Sequence, residues 1–251
     1  MSLRRVLYGF VFGLLSLPAI ARAHYVWIES ENTHEARIYF GEFNEGVREK
    51  AGGRLDERSA LEGWIESAKL GSDPLRLTQR SDHFSAPLGN RVGWLLARDL
   101  TSEVKDYRKN DLGIVKPMFY ARAAVANHAT APARPSLQLD ILPVAGDPTS
   151  FQVYFRAQPL AKAKVLVYAP NLWMQELTTD EHGRLTPKTP WPGRYVLDVV
   201  HKEAKPGEFK GQHYDAIRHR TTYSFVTGVS EPASEKAGKP PAQVPAASPA
   251  R

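Results

Sequence analysis

Residues 195–201 read YVLDVVH, a run of β-branched and aromatic residues around one acid, which is typical of a β-strand with one buried face. We expect Asp198 to face water, because acids are rarely buried. Side chains alternate between the two faces of a strand, so every second residue counted from Asp198 shares its face. The opposite, inward row then consists of Tyr195, Leu197, Val199 and His201.

Residues 219–225, HRTTYSF, have the same character, with Arg220 and Ser224 expected to face outward. If residues 204–216 connect the two strands as a hairpin, one register pairs His201 with His219. The same register pairs Val199 with Thr221, Leu197 with Tyr223 and Tyr195 with Phe225. Cross-strand neighbours have Cβ atoms about 4.5–5.5 Å apart, close enough to share one metal ion. The alternative is a pair of buried histidines hydrogen-bonded to each other or to the backbone.

Further runs rich in Val, Ile, Leu, Tyr and Phe predict strands over most of the chain. They lie at residues 25–28, 35–40, 75–77, 93–97, 116–125, 137–141, 151–156, 164–169 and 175–179.

A different pattern separates these runs at residues 44–70, which are charged and interrupted by glycine. There the spacing of Leu61, Trp64 and Ile65 predicts a short helix over Asp56–Leu70. Proline and glycine at residues 142–149 predict a domain boundary. We therefore expect an all-β fold of two immunoglobulin-like or transthyretin-like β-sandwich modules, with a helix-containing loop insertion in the first. The modules are predicted at residues 24–143 and 151–228.

The first 23 residues have the pattern of a secretory signal peptide. Arg4 and Arg5 precede an apolar stretch at residues 6–20, and Ala-Arg-Ala at residues 21–23 is a small-x-small cleavage site. The apolar stretch is shorter than the ~20 residues that span a bilayer. We expect a periplasmic protein without stable membrane insertion. Residues 229–251, rich in Pro, Ala, Ser and Lys, are expected to be a disordered tail.

Composition excludes several classes of site. The chain has no Cys, so disulfides, thiolate zinc sites, iron–sulfur clusters and cysteine nucleophiles are excluded. The 251 residues carry 33 Lys and Arg against 27 Asp and Glu. Removing residues 1–23 removes three Arg and no acid, so 30 basic residues face 27 acidic ones, a net charge of +3. Nucleic acid is therefore not an expected partner. Hydrolase and nucleotide-binding motifs are also missing from the sequence, and we expect no enzymatic activity.

Cleavage after Ala23 makes His24 the first residue of the mature chain. A terminal histidine chelates through its α-amine and its imidazole Nδ1, which together close a six-membered ring around a metal ion. Nitrogen donors in tetragonal geometry suit Cu(II) and Ni(II). The alternative is that His24 follows the cleavage site by chance.

Other candidate ligands are weighed by their neighbours in the sequence. His83 has Asp82 next to it and is a candidate ligand or an ordinary surface residue. His201 and His219 are candidates because the register described above pairs them across two strands. Glu42 is the carboxylate that we would choose as an oxygen ligand or as an acceptor for an imidazole N–H, and the alternative is an exposed acid at the end of a strand. The predicted metal ligands are therefore His24, His83, His201 and His219.

Two resemblances to known families add to this interpretation. Residues 159–167, 178–185 and 192–197 look like a transthyretin-like or carboxypeptidase-regulatory sandwich module, which marks a fold rather than a function. Residues 23–29, 39–43 and 201–225 resemble the exported domain-of-unknown-function 4198 family, associated with nickel and cobalt uptake, and this similarity covers roughly residues 24–227. The resemblance implies a periplasmic protein of two β-sandwich modules that handles a divalent metal.

Together these observations predict a periplasmic binding protein for Ni, Co or Cu in uptake or trafficking. An inner-membrane metal transporter or an outer-membrane receptor is the expected protein partner. One alternative is a metal-free interaction module for such a partner. The other is a copper oxygenase that combines a terminal histidine with a second one.

Overall fold

The computed structural model describes residues 24–67, 71–125 and 134–228, and the predicted signal peptide and tail lie outside them. The first ten strands are β1 Tyr25–Ser30, β2 Glu35–Glu42, β3 Val47–Arg48, β4 Glu62–Ser67, β5 Gly71–Leu75, β6 Thr78–Gln79, β7 Phe84–Pro87, β8 Trp94–Asp99, β9 Lys105–Tyr107 and β10 Gly113–Ala124. The next ten are β11 Leu139–Val144, β12 Asp147–Phe155, β13 Gln158–Pro159, β14 Lys164–Tyr168, β15 Met174–Thr178, β16 Arg184–Leu185, β17 Gly193–Glu203, β18 Gly207–Phe209, β19 Gln212–Tyr214 and β20 Ala216–Thr227. The expected all-β fold is confirmed.

Three larger sheets and one small hairpin contain these strands. The N-terminal sheet has the order β1-β2-β7-β6, with β3 added to β2. The central sheet has the order β15-β14-β17-β20-β10-β8-β4-β5, with β9 added to β10. The C-terminal sheet has the order β11-β12-β13, with β16 added to β12, and β18 pairs with β19.

The central sheet is covered on both faces. On one face Leu95 shares a buried cluster with Ile38 of the N-terminal sheet. On the other face the adjacent Leu96 shares a second cluster with Ile141 of the C-terminal sheet. Neighbouring residues of one strand point to opposite faces, so these two clusters place the sheets in three layers.

Burial on both faces overturns one expectation. Asp198 is only 2% exposed and pairs with Arg220, at 2.6 Å between Nη2 and Oδ2 and 2.8 Å between Nε and Oδ1. Ser224 is also buried. The prediction that Asp198, Arg220 and Ser224 face water is wrong, because the N-terminal sheet covers this face as well. The alternation in the sequence did sort the two faces correctly, but at Asp198 both faces are buried.

Strand β1 is the element that joins the N-terminal sheet to the central one. Val26 and Ile28 lie in one buried cluster, whereas Tyr25 and Trp27 lie in another. The hydroxyl of Thr222 in β20 donates to the backbone oxygen of Val26 at 2.8 Å. These contacts fix the position of His24, which directly precedes β1.

The predicted helix over Asp56–Leu70 is wrong. A 3-10 helix spans Arg54–Arg58, β4 follows at Glu62–Ser67, and residues 68–70 lie outside the described part. Trp64 and Ile65 alternate across the sheet instead of sharing a helix face, because β4 pairs with both β5 and β8. Strand pairing has overridden the local helical spacing. In the described residues no helix reaches seven residues.

Strands from both predicted modules share sheets. Strand β10 pairs in parallel with β20, from Val115 with Ala216 to Ala123 with Ser224. The predicted boundary at residues 142–149 lies in the hairpin of β11 and β12. The division into units at 24–143 and 151–228 stays a prediction. No helix in the described ranges is long and apolar enough to cross a membrane.

The buried Asp198–Arg220 pair leads to a stability prediction. Replacing Arg220 with Met leaves the Asp198 carboxylate buried without its ionic partner, and we expect the free energy of unfolding to fall by about 3–5 kcal/mol. Urea denaturation monitored by circular dichroism measures this change. The matched control is Lys164→Met in β14, whose ion pair with Glu176 is largely exposed, with an expected loss of at most about 1 kcal/mol. Equal losses in both variants would contradict a structural role for the buried pair.

Candidate functional site

The pairing of β1 with β2 places the first described residue beside a carboxylate. Tyr25 pairs with Gly41, so the next step along the ladder sets His24 opposite Glu42. The hydroxyl of Tyr25 accepts a hydrogen bond from the Phe43 N–H at 2.8 Å and donates one to Asn44 Oδ1 at 3.0 Å. These bonds hold the turn after β2 against the start of β1.

A glycine brings a second carboxylate to the same place. Gly41 has φ +153°, and a Cβ at this position would lie 2.1 Å from the backbone oxygen of Val47. Glycine therefore permits β3 to fold back closely over β2. The N–H of Glu49 then donates to the Phe40 oxygen at 2.9 Å, which positions the Glu49 side chain near His24.

The imidazole of His24 lies between these two acids. Its Nδ1 is 3.2 Å from Glu42 Oε1, and its Nε2 contacts Glu49 Oε1. The ring packs on Phe40 with 5.4 Å between ring centroids, and 10% of the His24 side chain is exposed. Two carboxylates and an imidazole therefore converge at the edge of the N-terminal sheet.

One atom of this cluster is not satisfied. Glu42 is 6% exposed, and its Oε1 is buried without a hydrogen-bond partner among the described residues. The contact between Glu42 Oε1 and His24 Nδ1 is short enough for an ion pair, but it does not have the geometry of a hydrogen bond. A buried carboxylate oxygen without a donor is costly, and a bound cation would satisfy it.

A guanidinium covers the cluster from the solvent side. Arg54 Nη1 lies 3.1 Å from Nε2 and 3.3 Å from Nδ1 of His24, and 3.7 Å from Glu49 Oε1. About half of the Arg54 side chain is exposed. In this state the nitrogens of the ring face protein groups, and across the described residues no three His, Asp or Glu side chains are arranged to hold a metal ion. A metal would therefore have to displace existing contacts.

The structure places His83 in a separate ion-pair cluster. Its Nδ1 is 2.7 Å from Asp82 Oδ1 and its Nε2 is 3.9 Å from Glu35 Oε1. The hydrogen bond from His83 is the main reason that the pKa of Asp82 is lowered. His83 thus has a carboxylate partner, as its sequence neighbour indicated, but not a second histidine among its described contacts.

The predicted register of the other two histidines is confirmed. His201 pairs with His219, and the pairs Val199–Thr221, Leu197–Tyr223 and Tyr195–Phe225 follow. The two imidazole centroids are 6.5 Å apart.

Hydrogen bonds occupy both nitrogens of His219. Nδ1 is 3.0 Å from the Tyr120 hydroxyl and Nε2 is 3.1 Å from Glu203 Oε2. His219 is fully buried, and His201 packs on Phe155 with 4.3 Å between ring centroids. Burial lowers the pKa of both histidines. His219 is therefore buried and hydrogen-bonded, but to Tyr120 and Glu203 rather than to His201 or the backbone, and His201 is half-buried.

The four predicted ligands thus occupy three places, and only His201 and His219 are brought together. Glu42, expected as a carboxylate partner of an imidazole, does lie beside His24. Sequence reasoning missed Glu49 and Arg54, because it treated residues 44–70 as one loop. Gly46 was the available signal in the sequence, because glycine after a strand indicates a turn. In the structure Gly46 has φ +64°, and the chain reverses there and returns along β2.

Comparison of the chain with protein-family models and with curated proteins finds no match. The resemblance to the domain-of-unknown-function 4198 family stays a prediction.

The buried histidine pair leads to a prediction about pH. Histidine titrates near pH 6.5 in an unfolded chain, whereas burial lowers the pKa of His201 and His219 in the folded one. Below pH 6.5 the unfolded chain therefore binds protons that the folded chain does not. We expect the free energy of unfolding to fall as the pH decreases from 7 towards 5, and to level off below the folded pKa values.

Urea denaturation at several pH values measures this effect. His219→Gln and His201→Gln should each reduce the dependence on pH, whereas His213→Gln, at an exposed site, should retain it. The interpretation fails if all three variants keep the slope of the parent protein.

Proposed function

We propose that this protein is an exported, periplasmic binding protein for a divalent transition metal ion, Ni(II), Co(II) or Cu(II), in uptake or trafficking. His24, as the first residue after signal cleavage, supplies its α-amine and imidazole, and Glu42 and Glu49 supply oxygen. The observation that carries the proposal is the buried Oε1 of Glu42, which has no hydrogen-bond partner among the described residues and lies beside the His24 ring.

The donor set fits such a cargo chemically. An amine and an imidazole are nitrogen donors that Ni(II), Cu(II) and Co(II) accept, and two carboxylates complete a mixed nitrogen and oxygen set. Two ionised carboxylates also balance the charge of a divalent ion. His83, His201 and His219 are not needed for this site, because each has partners elsewhere.

The geometry gives less support to a copper oxygenase. Such a site needs a second imidazole beside the terminal histidine. Among the described residues, the side chains that contact the His24 ring are Phe40, Glu42, Glu49 and Arg54. Carboxylates stand where that mechanism requires a second ring.

Calorimetry with Ni(II), Co(II) and Cu(II) on the mature protein tests the proposal. We expect His24→Ala, and a variant with one extra residue ahead of His24, to lose at least about tenfold in affinity, because each removes a nitrogen donor. Glu42→Gln should also weaken binding, because it removes the charge of the buried carboxylate. His213→Ala, which removes an exposed histidine, is the matched control and should bind like the parent. Unchanged affinity in the first two variants would exclude the terminal chelate.

An exposed apolar patch supports a second candidate, the interaction module. Trp173 and Trp191 are 43% and 37% exposed, and their ring centroids are 5.4 Å apart. Leu172 and Met174, which flank Trp173 in the chain, are about half exposed. Exposed aromatic and aliphatic side chains grouped in this way often mark protein contacts. The partner would be a membrane transporter or an outer-membrane receptor.

Thermal unfolding separates the two candidates. A ligand that binds only the folded state raises the melting temperature. We expect Ni(II), Co(II) or Cu(II) to raise the melting temperature of the mature protein, and to have less effect on Glu42→Gln. An unchanged melting temperature with every ion would favour the interaction module.

A further inference from the structure

We infer that Arg54 is a displaceable internal cation, which occupies the His24 site when it is empty and is exchanged for the incoming divalent ion. This inference rests on the proposed function and adds a means by which the site selects charge. It makes Arg54 a positioning and selectivity residue rather than a ligand.

The position of Arg54 carries the inference. Its Nη1 lies within 3.3 Å of both ring nitrogens of His24 and 3.7 Å from Glu49 Oε1. A metal ion bound to the imidazole requires a ring nitrogen, so the guanidinium and the metal cannot occupy this place together.

The charges explain why an exchange is favourable. Glu42 and Glu49 contribute two negative charges when ionised, and the guanidinium offsets one of them. A divalent ion in its place offsets both carboxylate charges, whereas a monovalent ion gives no such gain. The orphan Oε1 of Glu42 is not reached by a hydrogen bond from Arg54, so a compact ion at the His24 ring gains a contact that the arginine lacks.

The backbone that carries Arg54 is anchored in the core, whereas its side chain is about half exposed. Leu55 is fully buried, and Arg58 pairs with the buried Asp99 at 2.7 Å between Nη1 and Oδ2. These neighbours anchor the 3-10 helix at residues 54–58. The Arg54 side chain itself is about half exposed, so it can move without unpacking the core.

A second acid already pairs with Arg54 and can retain the displaced guanidinium. Glu57 Oε1 lies 3.6 Å from Arg54 Nε, one helical turn along the same segment, and the Glu57 side chain is 38% exposed. A rotation of the Arg54 side chain about its own bonds towards Glu57 would open the site without leaving the guanidinium unpaired.

Calorimetric titration of the mature protein with Ni(II), Co(II) and Cu(II) chlorides tests the exchange. For Arg54→Gln we expect affinity to rise about five- to tenfold, since a positive charge near the bound dication is lost. For Glu57→Gln we expect affinity to fall, since the displaced arginine loses its second partner. Lys50→Gln is the matched control, because it removes a nearby exposed positive charge that pairs with Asp82 outside the site, and it should change affinity less than about twofold.

The outcomes separate this inference from the proposed function. If the parent binds metal and both Arg54→Gln and Glu57→Gln bind equally well, the exchange is excluded and the metal site stands. A rise of the same size in Lys50→Gln would also exclude it, because the effect would then be general electrostatics. If neither the parent nor Arg54→Gln binds any of the ions, the proposed function and the exchange both fail. If Arg54→Gln cannot be obtained folded, Arg54→Met takes its place, and unchanged affinity in that variant overturns the inference.

Discussion

The contact between strand β1 and the central sheet is the constraint on which the rest of the structure depends. Arg220, paired with buried Asp198, lies 4.2 Å from the ring centroid of Tyr25, and Thr222 bonds the Val26 oxygen. Burying the charges of Asp198 and Arg220 between two sheets is tolerated because the two side chains are paired. Here the pairing sets the position of β1, and β1 in turn sets the position of His24.

The candidate site follows from that placement together with a local fold-back. Pairing with β2 sets Glu42 opposite His24, and the absence of a side chain at Gly41 lets β3 return Glu49 to the same ring. The acids thus come from neighbouring turns of one meander, whereas the guanidinium of Arg54 comes from a separate segment anchored in the core. The site is therefore assembled from local backbone geometry, and its charge balance depends on the 3-10 helix that follows.

Much of the fold was predictable from the alternation of side chains between the two faces of each strand. The errors have one physical cause. The strands and the register of His201 with His219 followed from alternation, because side-chain parity is a local property. The outward placement of Asp198 failed because a third layer covers that face, and no local pattern reveals a layer contributed from elsewhere in the chain. The helix expected over Asp56–Leu70 failed for the same reason, since pairing with β8 decides that segment. Glu42 was one of two alternatives that the sequence left open at the end of a strand, whereas the positions of Glu49 and Arg54 depend on a chain reversal.

The parallel pairing of β10 with β20 has a consequence for the order in which the molecule folds. These partners are about a hundred residues apart, and contacts of such separation form slowly because loop closure must precede them. β20 is also the strand that holds Val26, so the N-terminal sheet cannot dock fully until the final described strand is in place. The docking of the strand that carries His24 at its start thus depends on the far end of the described chain.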